Sequence, residues 1–353
     1  NVLGEIGKGH RIAFGILNLG RLKLGVGTVA GARYATDLTI EYTTQRTQFQ
    51  TPLSEFGLIQ KKIAEQVIKI YAGEAMGYRI TGLVSDYEHQ LKASRPDDDT
   101  AMLAALDEYS VECAMSKVYG SEVLDFVVDE AVQAHGGYGY IKEYPVEQCY
   151  RDSRINRIYE GTNEINRMLV PGQLLKKAMK GEIPLMDRVQ GIGAELAAPE
   201  TISVDVPEGP IARERRDAEL AKRAALFLLN EAVQKYMMEI DKQQEVLALL
   251  ADILTEVFVL DSTVARVAKA LDRDGPAKSE IPVKILQVFS NEAVRRLDGW
   301  GRELLAVVHE ADAWREKVGQ LEHYLRPDPL NTVALKREIA RDAVAAGRYR
   351  FFS

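Results

Sequence analysis

Apolar positions recur at three- and four-residue spacing along most of the chain, the signature of helices packed on a core. Ile12, Ile16, Leu19, Leu22 and Val26 form one stripe inside a proline-free stretch from Gly9 to Gln45. This predicts a helix roughly 50 Å long at 1.5 Å per residue. Ile59, Ile63, Val67, Ile70, Gly73, Gly77, Ile80 and Val84 share one face of a second helix, and its two glycines permit close approach of a neighbouring helix. Arg95-Pro-Asp-Asp-Asp-Thr100 is a polar break whose acidic run suits the positive end of the next helix. That third helix turns Met102, Leu106, Tyr109 and Cys113 inward and continues to about Gln133; a shorter fourth follows Thr162. The pattern predicts an all-α fold, with an antiparallel four-helix bundle over residues 1–180.

The periodicity fails near Ile183, and Ala198–Pro210 carries three prolines, so residues 181–210 are expected to form a linker. Beyond it, Val246, Leu250, Ile253, Val257, Leu260, Val264, Val267 and Leu271 keep the four-three spacing of a helix-on-helix seam. Helical patterns continue over about 281–320 and 329–347, making 211–353 a second helical domain. The stretch Lys336–Arg350 is basic and moderately amphipathic. It reads either as a solvated terminal helix or as a helix lying weakly on a membrane surface.

The length of 353 residues, 46% of them hydrophobic, allows two or three domains and a sizeable core. A net charge of -7 argues against a nucleic-acid partner. Cys113 and Cys149 are the two cysteines, too few for a disulfide framework or a cysteine zinc cluster. The sequence has no run of 18 or more apolar residues, so no membrane span is expected. It opens Asn1-Val-Leu-Gly-Glu-Ile-Gly without an initiator Met or signal peptide, and reads as a fragment of a longer chain.

Three segments between the predicted helices carry residues that a structural bundle does not need. Arg46-Thr-Gln-Phe-Gln50 offers a planar fork for a phosphate pair and an aromatic face for a flat ring; the arginine equally suits the negative end of the preceding helix. Gln133-Ala-His-Gly-Gly-Tyr-Gly139 allows positive φ and close backbone approach to a ligand, or a plain helix cap and turn. It is no Rossmann fingerprint, lacking a preceding strand, and His135 has no second ligand at metal spacing, so no metal site is expected. Around Ile158-Tyr-Glu160-Gly-Thr162, a glutamate among apolar and aromatic neighbours suits a general base, or is an exposed carboxylate near a helix N-terminus.

In this order on a helical bundle, these segments resemble the C-terminal helical domain of the acyl-CoA dehydrogenase family over about residues 1–177. Residues from about 200 onward resemble, more loosely, the extra domain of its very-long-chain branch. The resemblance implies FAD-dependent α,β-dehydrogenation of a saturated acyl-CoA thioester, with electrons passed to an electron-transfer flavoprotein in fatty-acid β-oxidation. Glu160 matches the base that removes the α-proton. Arg46, Gln48 and Phe49 match residues holding the FAD pyrophosphate and adenine of a neighbouring subunit. Gln60 matches a flavin contact, Gln133, His135, Gly136 and Gly137 the loop cradling FAD across a dimer interface, and Thr162 and Glu164 contacts following the base. Asn18 and Arg21 match a pair meeting the CoA side of the substrate, and Gly161, beside the base, is a further substrate-binding residue. Gln50, Asn18 and Glu164 depart from the family's usual Gly, Asp and Gln. A homodimer or homotetramer is implied, in the cytoplasm of a bacterium or at the mitochondrial matrix or inner membrane of a eukaryote. Without the family's other domains, the isolated chain is expected to bind FAD poorly. An acyl-CoA oxidase or a non-catalytic helical scaffold are the alternatives.

Overall fold

A computed structural model describes residues 2, 4–96 and 100–351; Asn1, Leu3 and the acidic run at 97–99 lie outside the described residues. The helices are α1 (Gly9–Gln45), α2 (Gly57–Ser94), α3 (Ala101–Glu108), α4 (Ser110–His135), α5 (Pro145–Ser153), α6 (Asn163–Met179), α7 (Leu185–Ala197), α8 (Ala212–Tyr236), α9 (Gln244–Lys278), α10 (Glu280–Val308), α11 (Ala311–Leu321) and α12 (Thr332–Ala346). One short hairpin, β1 (Thr47–Gln48) and β2 (Thr51–Pro52), interrupts them. The chain divides into two compact units, Asn1–Val170 with Ala346–Ser353, and Pro171–Ala345.

In the first unit α1 and α4 run side by side in the same direction and α2 runs opposite to both. Gly25 abuts Ser116 and Gly120, whereas Gly73 and Gly77 of α2 meet Val29 and Val26 of α1. A β-carbon on Gly120 would stand 2.3 Å from the Gly25 carbonyl oxygen, so this crossing admits no side chain. The α2 stripe is buried from Ile63 to Val84, with Ile59 half-buried. The α1 stripe differs from expectation: Ile16 and Val26 are exposed. Its inward face is made instead of Gly15, Leu22, Gly25, Val29, Ala32, Ala35 and Thr39, because close packing against α4 selects small side chains. By length and composition α1 could cross a membrane; here that small-residue face is closed against its neighbours.

The third predicted helix is two, since Tyr109 leaves helical geometry (φ -98°, ψ 28°) between α3 and α4. Met102 is exposed, while Ala101, Ala105 and Leu106 face inward. Helix α5 and two 3₁₀ turns occupy the connection before α6. Residues 346–351, expected in the second domain, belong to the first unit. Tyr349 is fully buried; its hydroxyl donates to Glu74 Oε2 at 2.6 Å and its backbone N–H to Asp37 Oδ1 at 2.7 Å.

In the second unit α8, α9 and α10 pack on one another. The α9 seam is buried from Val246 to Val267 and half-buried at Leu271. Part of the expected linker is α7, which Ile192 anchors by burial. Glu195 adds an ion pair to Arg223 at 3.2 Å and accepts the Tyr324 hydroxyl at 3.2 Å. The 281–320 pattern breaks at His309 into α10 and α11. Helix α12 is not solvated all round: Ile339, Ala340 and Ala343 are buried, and Lys336 pairs with Glu292 at 2.7 Å, while Val333 is exposed.

Candidate active site

The turn before α6 is held in an uncommon shape. Glu160 (φ +58°) and Gly161 (φ +80°) are consecutively left-handed, a conformation that costs a non-glycine residue about 1 kcal/mol or more and persists only when its surroundings enforce it. They do so from two sides. The Asn166 amide is fully buried, and its Nδ2 donates to the carbonyls of Gly161 at 2.9 Å, Thr162 at 3.0 Å and Glu160 at 3.4 Å. From α1, Arg21 Nε donates to the Glu160 carbonyl at 3.3 Å. Arg21 is itself fixed, donating from Nη1 to Asn18 Oδ1 at 2.9 Å, and Asn18 donates to the Leu106 carbonyl at 3.4 Å. Burial lowers the Arg21 pKa from its ordinary value, opposed by the neighbouring Cys113 and Glu160. Asn18 and Arg21, expected to meet the CoA end of a substrate, are thus buried beneath the Glu160 turn.

The Glu160 side chain is half-buried and lies against Gly20 of α1. With Gly20, Leu24, Gly27, Leu124 and Tyr159 it lines a cleft of about 430 Å³. A carboxylate at the side of a mostly apolar cleft can take a proton from a carbon acid laid along it. Thr162 and Glu164 serve the helix they begin: Thr162 Oγ1 accepts from the Ile165 N–H at 3.2 Å, an N-cap. Glu164 has its pKa lowered by its own backbone N–H and by the Thr162 hydroxyl.

Behind the turn lies a cluster that sequence reasoning missed. Lys117 of α4 is fully buried and donates from Nζ to Asn163 Oδ1 at 2.7 Å. Asn163 Nδ2 donates to Ser121 Oγ and Glu122 Oε1, each at 3.1 Å. Arg167 holds Glu122 through two bonds of 2.7 and 3.0 Å. The available signal was a lysine four residues after Cys113, on the inward stripe of α4.

The other expected cofactor residues gather elsewhere. Phe49 (φ +52°) and Gln50 (φ +62°) form the two-residue turn of the hairpin, the geometry of a type I′ turn. This holds Gln50 in the conformation that glycine adopts most readily. Phe49 is 89% exposed, its ring edge-on to Phe56 at 6.4 Å. At the end of α4, Gly136 has φ +60°, and nothing lies within 4 Å of a β-carbon built on Gly136 or Gly137. The Arg46 guanidinium lies over the Tyr138 ring at 5.6 Å, so hairpin and glycine turn share one end of the bundle. His135 is buried, its Nδ1 2.8 Å from the Ala131 carbonyl and its ring stacked on Tyr42 at 4.1 Å. It supports the turn from inside, and burial lowers its pKa. Gln48 and Gln133 are exposed, and Gln60 is buried in the first turn of α2. Arg46 ends the continuous helix on which Gly20 faces Glu160, placing the two clusters about 39 Å apart along α1.

The family model described as acyl-CoA dehydrogenase, C-terminal domain, matches residues 7–175, and a second model of the same description matches residues 220–323. A probable acyl-CoA dehydrogenase of Bacillus subtilis (strain 168) is 43% identical over 349 residues, 99% of this chain and 58% of the relative. The very long-chain specific acyl-CoA dehydrogenase of Homo sapiens, mitochondrial, is 34% identical over 199 residues, 56% of this chain and 27% of the relative. An acyl-CoA dehydrogenase complexed with FAD from Bacillus anthracis superposes with a TM-score of 0.96 at 44% identity, over 99% of this chain and 59% of that one. The chain therefore spans less than two thirds of the length of these relatives.

Proposed function

The chain belongs to the acyl-CoA dehydrogenase family, and on that premise we propose that the polypeptide carrying it dehydrogenates a saturated acyl-CoA to the trans-2-enoyl-CoA, with Glu160 as base and FAD as cofactor. The observation that carries this reading is the Glu160 turn, left-handed at two residues and fixed by Arg21 and Asn166. Such bracing aims one carboxylate into a cleft. Glu160 takes the α-proton of the thioester and becomes a carboxylic acid. Bound FAD supplies the acceptor for the β-hydride, and its electrons pass on to an electron-transfer flavoprotein in fatty-acid β-oxidation.

The residues at the hairpin end fit a dinucleotide: the Arg46 fork for phosphate, the exposed Phe49 ring, and open backbone at Gly136 and Gly137. About 39 Å along α1 is farther than one FAD reaches, so the hairpin cluster serves the active site of a neighbouring copy, and two subunits complete each site. In the purified full-length protein loaded with FAD, a saturated acyl-CoA is expected to bleach the flavin band. Glu160→Gln is expected to keep FAD and abolish bleaching; bleaching at the wild-type rate in that variant would contradict the assignment. The isolated 353-residue chain is expected to bind FAD weakly.

A further inference from the structure

Lys117 stands in a place that electrostatics disfavours. Its side chain is fully buried, yet an ammonium has three donors and the bond to Asn163 Oδ1, at 2.7 Å, satisfies one of them. Asn163 is the first residue of α6, so the cation faces the positive end of a helix dipole. Carboxylates surround it at longer range: Glu164 from α6, Glu122 from its own helix and Glu160 from the turn, with Arg21 of α1 opposing. A methionine of similar length would fill the same space without burying a charge.

What the cation touches is the residue that anchors the base. Asn163 follows Glu160-Gly161-Thr162 directly, and its amide is held on both sides, by Lys117 through Oδ1 and by Ser121 and Glu122 through Nδ2. We propose that Lys117 is a positioning residue for the dehydrogenation, its protonated amine pinning Asn163 so that α6 begins at one fixed point and the Glu160 carboxylate is delivered over Gly20. This rests on Glu160 being the base. Lys117 acts through Asn163 and the turn backbone, and reaches neither substrate nor cofactor.

Three variants of the FAD-loaded full-length protein test it, by stopped-flow flavin reduction with a saturated acyl-CoA across pH. Lys117→Met is expected to slow reduction about 10- to 100-fold while FAD content and KM stay within about twofold. Wild type is expected to show an alkaline limb near pH 8, where burial places the Lys117 titration, and Lys117→Met is expected to lose it. Amide hydrogen exchange over 160–166, read without substrate, is expected to quicken about tenfold and to remain unchanged in α4. Asn163→Asp keeps the oxygen that accepts from Lys117, loses the Nδ2 donor to Glu122 and adds an opposite charge, so its alkaline limb is expected to move to higher pH; it decides the matter if Lys117→Met fails to fold or to hold FAD. Wild-type rate and limb in Lys117→Met, or an unmoved limb in Asn163→Asp, overturn the proposal. If Glu160→Gln abolishes reduction while Lys117→Met leaves it intact, only the role of Lys117 fails. If Glu160→Gln still reduces flavin, the base assignment fails and this inference with it.

Discussion

Gly20 lies under the Glu160 carboxylate so closely that a β-carbon on it would stand 2.6 Å from Glu160 Oε2. The atom in the way is the tip of a flexible side chain, so Gly20→Ala displaces the carboxylate rather than the fold. Stability is expected to change by less than about 1 kcal/mol, whereas flavin reduction by acyl-CoA falls about 100-fold. Denaturant melts and stopped-flow traces on the same preparation separate the two.

Asn166 closes three carbonyls of the Glu160 turn with one buried amide nitrogen. Asn166→Ala leaves those carbonyls short of a partner and is expected to destabilise the protein by about 1–3 kcal/mol. The measurement is equilibrium denaturation, and the loss is expected to appear with or without FAD.

Burial holds the Lys117 pKa down to about 8 from its ordinary 10.5. A base depressed in the folded state contributes stability that is fully present above 10.5 and is lost as pH falls through 8. Between those limits wild type is expected to gain about 1.4 kcal/mol per pH unit relative to Lys117→Met. Parallel stability curves for the two proteins over this window would contradict a lowered Lys117 pKa.

The tail residue Tyr349 fills a buried position and donates to Glu74. Tyr349→Phe is expected to cost about 1–2 kcal/mol by removing one hydrogen bond to a charged group. Tyr349→Ala is expected to cost about 3–5 kcal/mol by leaving a cavity as well. Thermal unfolding monitored by circular dichroism ranks the two.

The helical period and its glycines were legible where large apolar side chains make the core, as along α2 and α9. The α1 reading failed at Ile16 and Val26 because the α1–α4 crossing is built from Gly25, Ser116 and Gly120, which carry no hydrophobic signal. Helix α7 was passed over because its burial rests on Ile192 and on polar ties from Glu195, not on a broad apolar face. Glu160 was legible through its motif and Arg21 was named with it, though for the CoA end of a substrate; the bracing of the turn was not legible. Arg21, Asn166, Asn163 and Lys117 act through backbone carbonyls and buried amides, and those partners lie up to 139 positions away in the chain. The tail at Tyr349, far from Glu74 in sequence, was invisible for the same reason.

The proposed assembly puts the Glu160 cluster and the Arg46–Gly136 cluster of one chain in different active sites. Subunit complementation tests it directly: full-length Glu160→Gln and Arg46→Ala proteins are refolded together, and flavin reduction by acyl-CoA is measured on the purified hybrid. Two inactive parents are expected to yield a hybrid with about half the wild-type activity per dimer, because one of its sites is free of both substitutions. A hybrid as inactive as its parents would place both clusters in one site and contradict the account.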